Sequence, residues 1–385
     1  MRILFSVHTY LPDQNGVQNV TTYLAEGLAN KGCEVHVITG NKNGRVETEV
    51  INGVVIHRIE AKTTMFSYSG DKEKYITLIN EIKPDIFIPV CTQSWTLDWL
   101  PKDIDKLPGR KILYTHGYSG LTSKLVLEKG LSIYSLKSIV AYMIFKIRWH
   151  IYYLSLYKKL KKYDYVTYLC ETDAGYLYAE KHKLPNSLVI ENGVEERFFS
   201  HFRKCVTNNK LNIVCVSNYT TIKNQLSLIN AFYKMKKPSE LYLLGSSRTK
   251  YMERLVEAKK IHDQKYGKKE VHFLLGRPRD EITEVLAKCN VFATTSKFEA
   301  YPIAVFEAMA VGLPVVAYDA GNLKTVPGIE IVQNEEQLAD VFDSFASGER
   351  DYGNLAQLMQ NYTIEHNRIE GIIDSFYLRL CNLKG

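Results

Sequence analysis

The stretch RILFSVHTYLPDQNGVQNVTTYLAEGLANKGCEVHVIT, residues 2–39, decides the fold. Its first six residues, Arg2–Val7, are a short apolar run of the buried-strand kind. A loop bearing Asn15 and Gly16 follows. Val17, Val20, Leu24 and Leu28 then recur on one helical face until Gly32 stops the run. Residues 34–39 read as a second strand. Strand, loop, helix, glycine and strand make the βαβ unit of a doubly wound parallel sheet.

Working outward, further strand-like runs stand at 86–90, 111–115, 165–169 and 187–190. The pattern restarts at 211–216, with a polar loop and a helix over 224–236. Strands at 240–244 and 271–275 run into Gly245 and Gly276. A helix over 280–287, a strand at 291–295, a helix beginning near Pro302 and a strand at 313–317 complete the second pass. Residues 362–383 are helical in pattern, and 201–210 are polar, as a linker should be. The spacing therefore predicts an α/β chain of two Rossmann-like domains, 1–200 and 201–361, with a closing helix over 362–385. Two such sheets in series create a cleft at the carboxyl ends of their strands, where ligands of open α/β sheets bind.

The length of 385 residues suits two domains of roughly 150 residues or more each. With 45% hydrophobic and 24% charged residues, disorder, collagen-like repeats and a pure coiled coil are excluded. The seven cysteines are scattered without a C-x-x-C pair, and Met1-Arg2 runs straight into a strand rather than a signal peptide. A reducing, cytoplasmic setting is the expectation. The net charge of +7 is concentrated: between 124 and 162 nine Lys/Arg stand against one acid, Glu128. Apolar runs at 131–136, 139–145 and 151–156 interleave with them. Lys146, Arg148 and His150 interrupt any membrane span. The mixture fits an amphipathic helix lying on an anionic membrane surface; sheet-packed helices with water-facing lysines are the plainer alternative. No nucleic-acid motif accompanies the charge. Asp103-Ile-Asp105 lies between Lys102 and Lys106 and reads as a solvated loop, and no zinc-ligand spacing exists, so no metal is expected.

The densest chemical signal is SKFEAYPIAVFEAMAVGLP, residues 296–314. Pro302 suits the first position of a helix, and Gly312 with Pro314 its end. Backbone N–H groups of about Ala300 to Ile303, Tyr301 and Pro302 included, then face the carboxyl end of a strand, a ready site for phosphate. Glu299 precedes the helix and Glu307 lies within it, about two turns apart. Two carboxylates so placed can accept hydroxyls from two ends of one ligand. Two solvated acids would read the same from spacing alone.

This segment resembles the E-x7-E signature of the retaining glycosyltransferases of family 4, the group 1 glycosyltransferases of GT-B fold, and the resemblance runs along the whole chain. Gly16-Val-Gln18 resembles the family's glycine-rich loop after the first strand. His116-Gly117 resembles its histidine near the sugar, and Glu191-Asn-Gly-Val-Glu195 its N-G-V-D/E element. The resemblance implies two Rossmann-like domains facing across a cleft, with the acceptor on the N-terminal domain and a nucleotide-diphosphate sugar on the C-terminal one. It implies that Glu307 binds the ribose, Glu299 the donor sugar and Lys223 the diphosphate, that Gly16 lets the backbone approach the donor, and that His116 contacts the sugar. One departure stands out. Where the family has an Arg five residues before that Lys, this chain has Asn218. A fixed positive charge is missing where negative charge develops, and Arg277 or Arg279 are the candidates to compensate. The expected activity is transfer from a UDP-sugar to a glycan or lipid-linked glycan, with retention and without metal or cofactor. A degenerate sugar-nucleotide binder and a sugar-nucleotide epimerase of the same architecture are the alternatives. A nicotinamide-dependent oxidoreductase is disfavoured, because the first loop lacks G-x-G-x-x-G and the second strand lacks a terminal acid.

Overall fold

The computed structural model describes residues 1–384 except 14, 43, 65–66, 119–120, 122–132, 202–209 and 351. The basic segment at 124–132 and most of the expected linker thus lie outside the described residues, as does Cys205. No disulfide forms among the described cysteines.

The chain divides into two compact units, Met1–Asn192 with Glu370–Gly385, and Gly193–Ile369. The divisions fall at 192/193 and 369/370, where the sequence reading put them at 200/201 and 361/362.

Among the described residues the first unit holds ten strands: β1 (Arg2–Val7), β2 (Glu34–Gly40), β3 (Thr48–Ile51), β4 (Val54–Ile59), β5 (Ala61–Thr63), β6 (Tyr68–Gly70), β7 (Ile86–Pro89), β8 (Arg110–Tyr114), β9 (Tyr165–Tyr168) and β10 (Ser187–Val189). Eight of them form one sheet in the order β10-β9-β8-β7-β1-β2-β4-β3. Only β3 runs antiparallel, to β4. The central strand β1 is buried from Ile3 to Val7, on both faces, as befits a strand in the middle of a parallel sheet. The C-terminal helix Ile369–Lys384 packs into this unit. Ile373 sits so close to Gly27 that a Cβ there would lie 2.3 Å away, Asp374 pairs with Lys31, and Lys384 Nζ lies 2.9 Å from Asp85.

The long helix Ile133–Leu160 is apolar on two sides. Tyr153, Leu156 and Leu160 are buried in the core, with Trp149 and Tyr152 packed beside them. Val140, Ile144, Ile147, Ile151 and Leu154 form an exposed stripe at spacings of three and four. The sheet-packed alternative describes the inner face and the exposed stripe the outer one, with Lys146, Arg148, Lys158 and Lys161 between or beyond them. A groove of about 410 Å³ opens beside the stripe, lined by Leu121, Lys146, Ile147, His150 and Ile151. Among the described residues no helix is long and apolar enough to cross a membrane.

The second unit holds β11 (Leu211–Val216), β12 (Ser239–Gly245), β13 (Glu270–Leu275), β14 (Val291–Thr294), β15 (Val315–Tyr318) and β16 (Glu330–Val332). They form one all-parallel sheet in the order β13-β12-β11-β14-β15-β16. Its core joins Ile213, Leu241, Leu243 and Val291 to Leu228 and Phe232 of the helix Gln225–Lys234 and Phe342 of the helix Glu335–Ala346. The expected closing helix is two: Tyr352–Asn367 belongs to this unit, and the chain breaks at Arg368, which bridges to Val194.

Candidate functional site

In the second unit the winding reverses between the neighbours β11 and β14. Loops leaving such a pair run in opposite directions and open a crevice at the carboxyl ends of the strands. The loop after β11 carries Asn218 and Lys223, and the loop after β14 carries Glu299. Three local bonds lace the two loops together. Lys297 N donates to Ile222 O at 2.8 Å. Asn224 Nδ2 donates to Thr295 O at 3.2 Å, and Thr295 Oγ1 returns a bond to Asn224 O at 2.8 Å. Asn224 takes a left-handed conformation, φ 54°, that turns the chain into the next helix. So held, Lys223 Nζ stands 2.7 and 2.8 Å from the two carboxylate oxygens of Glu299. Gly321, after β15, backs onto the same loop: a Cβ there would lie 2.9 Å from Glu299 O, and its φ of 65° also favours glycine.

Glu307 lies one helix further on, in Ile303–Ala310, and its side chain is only 3% exposed. Burial pushes its carboxyl above the ordinary range, while Arg279 beside it pulls the other way. Arg279 Nε and Nη2 reach Glu195 Oε1 at 3.0 and 2.9 Å, and Nη2 also donates to Glu307 Oε1. The guanidinium lies 4.8 Å over the ring of Phe198.

The remaining predicted residues divide. Asn218 is exposed, and its Oδ1 accepts from Ser246 Oγ at 2.7 Å. Arg277, in the loop before the helix Arg279–Lys288, pairs with Glu281 of its first turn at 3.0 Å, both about half exposed. Pro302 caps the helix rather than beginning it, and a proline has no N–H to give. The Tyr301 ring turns inward, stacked 4.4 Å from Phe306, and its hydroxyl accepts from Asn367 at 2.5 Å. The expected row of donors over 300–303 therefore reduces to the backbone of Ala300, Tyr301 and Ile303.

In the first unit, Gly16 is the first residue of the helix Gly16–Asn30, capped by Asn15, whose Oδ1 accepts from Gln18 N at 2.9 Å. A Cβ at Gly16 would meet no protein atom within 4 Å, so packing does not require the glycine. His116 follows β8, its ring 5.1 Å from Tyr114. Its Nε2 is buried without a hydrogen-bond partner among the described residues, and burial lowers its pKa to about 4. The imidazole is thus neutral at physiological pH.

Sequence reasoning passed over Asn224, Thr295 and Gly321, which set the Lys223–Glu299 geometry. Gly321 was recoverable as a glycine closely following a strand, like Gly245 and Gly276. Asn224 and Thr295 carried no signal, because their bonds join segments 71 residues apart.

Comparisons with known proteins agree with this layout. The family described as "Glycosyltransferase Family 4" matches residues 14–198. The family described as "Glycosyl transferases group 1" matches residues 197–363. The amylovoran biosynthesis glycosyltransferase AmsD of Erwinia amylovora is 26% identical over 219 residues, 54% of this chain and 58% of that one. The sucrose-phosphate synthase of Thermosynechococcus elongatus superposes with a TM-score of 0.73 at 14% identity, covering 99% of this chain and 98% of its own. HepE of Anabaena, solved with UDP and glucose, gives 0.70 at 15% identity, covering 99% and 100%. The likeness to the two structures extends to the fold, GT-B.

Proposed function

Since the chain belongs to the family 4, group 1 glycosyltransferases, we propose that it moves a sugar from a UDP-sugar to a glycan or lipid-linked glycan, with retention of configuration. The observation that carries this reading is the Lys223–Glu299 pair laced into the winding reversal of the second unit. In this reading Lys223 exchanges Glu299 for the donor diphosphate, and Glu299 then accepts hydroxyls of the sugar. As the bond from C1 to the diphosphate oxygen breaks, the electron pair leaves with the phosphate, the acceptor hydroxyl oxygen bonds C1, and its proton passes to the departing phosphate. Lys223 and the backbone N–H groups at the start of Ile303–Ala310 stabilise that growing charge. Glu307 binds the ribose. No metal takes part, the lysine and the helix start supplying the positive charge. In the first unit, Gly16 admits a phosphate or sugar close to the backbone, and the neutral His116 offers a sugar hydroxyl a hydrogen-bond partner.

Uridine is chosen because HepE is solved with UDP. The likeness to a glycosyltransferase named for amylovoran biosynthesis supports a role in bacterial surface polysaccharide synthesis. The exposed stripe on Ile133–Leu160, flanked by Lys146, Arg148 and Lys158, supports peripheral attachment at an anionic membrane face, where a lipid-linked acceptor resides.

The test is a thermal-shift panel with UDP, GDP and ADP, each with and without EDTA. A ligand that binds only the folded chain raises Tm. UDP alone is expected to do so, unaffected by EDTA. A shift with another nucleotide moves the base assignment, and loss with EDTA overturns metal independence. Sedimentation with anionic vesicles at low salt checks the attachment; no binding at any vesicle composition refutes it.

A further inference from the structure

Arg279 is misplaced by local rules. It is the first residue of the helix Arg279–Lys288, where the helix dipole disfavours a cation and the following Asp280 and Glu281 are the residues expected. Tertiary contacts account for it instead. Its guanidinium is fixed between Glu195, Glu307 and the Phe198 ring. On Glu307 it engages Oε1, and no side chain among the described residues bonds Oε2.

We propose that Arg279 is a positioning residue for donor binding, which holds Glu307 by Oε1 in one orientation and leaves Oε2 to accept a ribose hydroxyl of the nucleotide. This rests on the donor reading above. It also assigns the cations differently from the sequence. With two of its nitrogens committed to carboxylates, Arg279 does not replace the charge missing at Asn218, and Lys223 alone serves the diphosphate. An arginine suits the task because its planar fork fixes a carboxylate in direction as well as in charge.

The experiment measures binding of UDP and of 3′-deoxy-UDP by titration calorimetry. The native chain is expected to bind the deoxy nucleotide about tenfold more weakly, the cost of a hydroxyl bond to a charged acceptor. In Arg279→Gln that preference is expected to fall to about twofold or less, because the acceptor no longer has a fixed direction. Arg279→Lys keeps the charge without the fork and is expected near threefold. Glu307→Gln is expected to lose the preference as well. A purely structural Arg279 would weaken both nucleotides equally and leave the preference intact, which overturns the proposal. If Arg279→Gln does not fold, an undiminished preference in Arg279→Lys overturns it equally. A native chain that binds UDP with no regard for the hydroxyl overturns the ribose assignment of Glu307, and the inference with it. One that does not bind UDP overturns the uridine donor reading on which the inference rests.

Discussion

Glu299 and Glu307 are the same residue eight positions apart, and their surroundings differ in every respect. Glu299 sits in a loop, with a lysine partner on another loop and both side chains reached by water, 11% and 29% exposed. Glu307 sits inside a helix, almost fully buried, with an arginine whose far side rests on a second carboxylate and an aromatic ring. A lysine on a flexible stem can release one anion and take another at little cost, whereas a braced guanidinium cannot. On the proposed reading the first pair suits exchange with a ligand and the second suits keeping a ligand group in place. Activity and stability should therefore respond oppositely at the two sites.

The largest effect is expected from Glu299→Ala. Transfer should fall by about a thousandfold or more, since the lost contact is one made to the reacting sugar. The fold should change little, because an ion pair whose lysine is 29% exposed is worth about 1 kcal/mol. Turnover and a melting curve on the same preparation check both halves; near-native turnover removes Glu299 from the reaction. Arg279→Leu should show the reverse emphasis, losing about 3 kcal/mol by leaving Glu307 buried without its cation. The pH dependence follows from the direction of the Glu307 shift. Its carboxyl in the folded chain lies above the ordinary 4.5, so its contribution to stability is complete below that value and declines as pH rises. Removing Arg279 pushes the carboxyl further the same way. The deficit should be greatest at neutral pH and shrink as pH falls toward about 5. A deficit that is constant over this range would mean that removing Arg279 leaves the titration of Glu307 unshifted.

Much of this contrast was legible in sequence, and the illegible part has identifiable causes. The two carboxylates came from their spacing about the helix, and Lys223 from the family resemblance; the β11–β14 reversal of winding appeared only in the sheet order. The braces were not legible, since Glu195, Phe198 and Arg279 meet only in three dimensions. The β3–β4 hairpin was passed over although it carries an Asn52-Gly53 turn, with φ of 49° and 80°. A doubly wound reading expects helices between strands, and this edge hairpin broke the expectation. Tyr301 was taken with its neighbours as part of the helix start. Nothing local showed that its hydroxyl meets the buried Asn367, 66 residues later.

Two smaller substitutions sharpen the assignment of charge around Glu299. Asn218→Arg restores a cation beside the Lys223 loop and gives up the bond to Ser246. Affinity for UDP should rise by about three- to tenfold, and the gain should shrink in high salt as the added charge is screened. An unchanged affinity would place the diphosphate away from this loop. The smallest effect is expected from Arg277→Ala. Its partner Glu281 is in the first turn of the following helix, and an exposed pair of this kind is worth at most about 1 kcal/mol. UDP affinity and turnover should stay within about twofold of native. A tenfold loss of UDP affinity at unchanged Tm would show instead that Arg277 leaves Glu281 when the nucleotide binds. The exchangeable cations would then be two, and the loop after β13 would join the loop after β11 in holding the diphosphate.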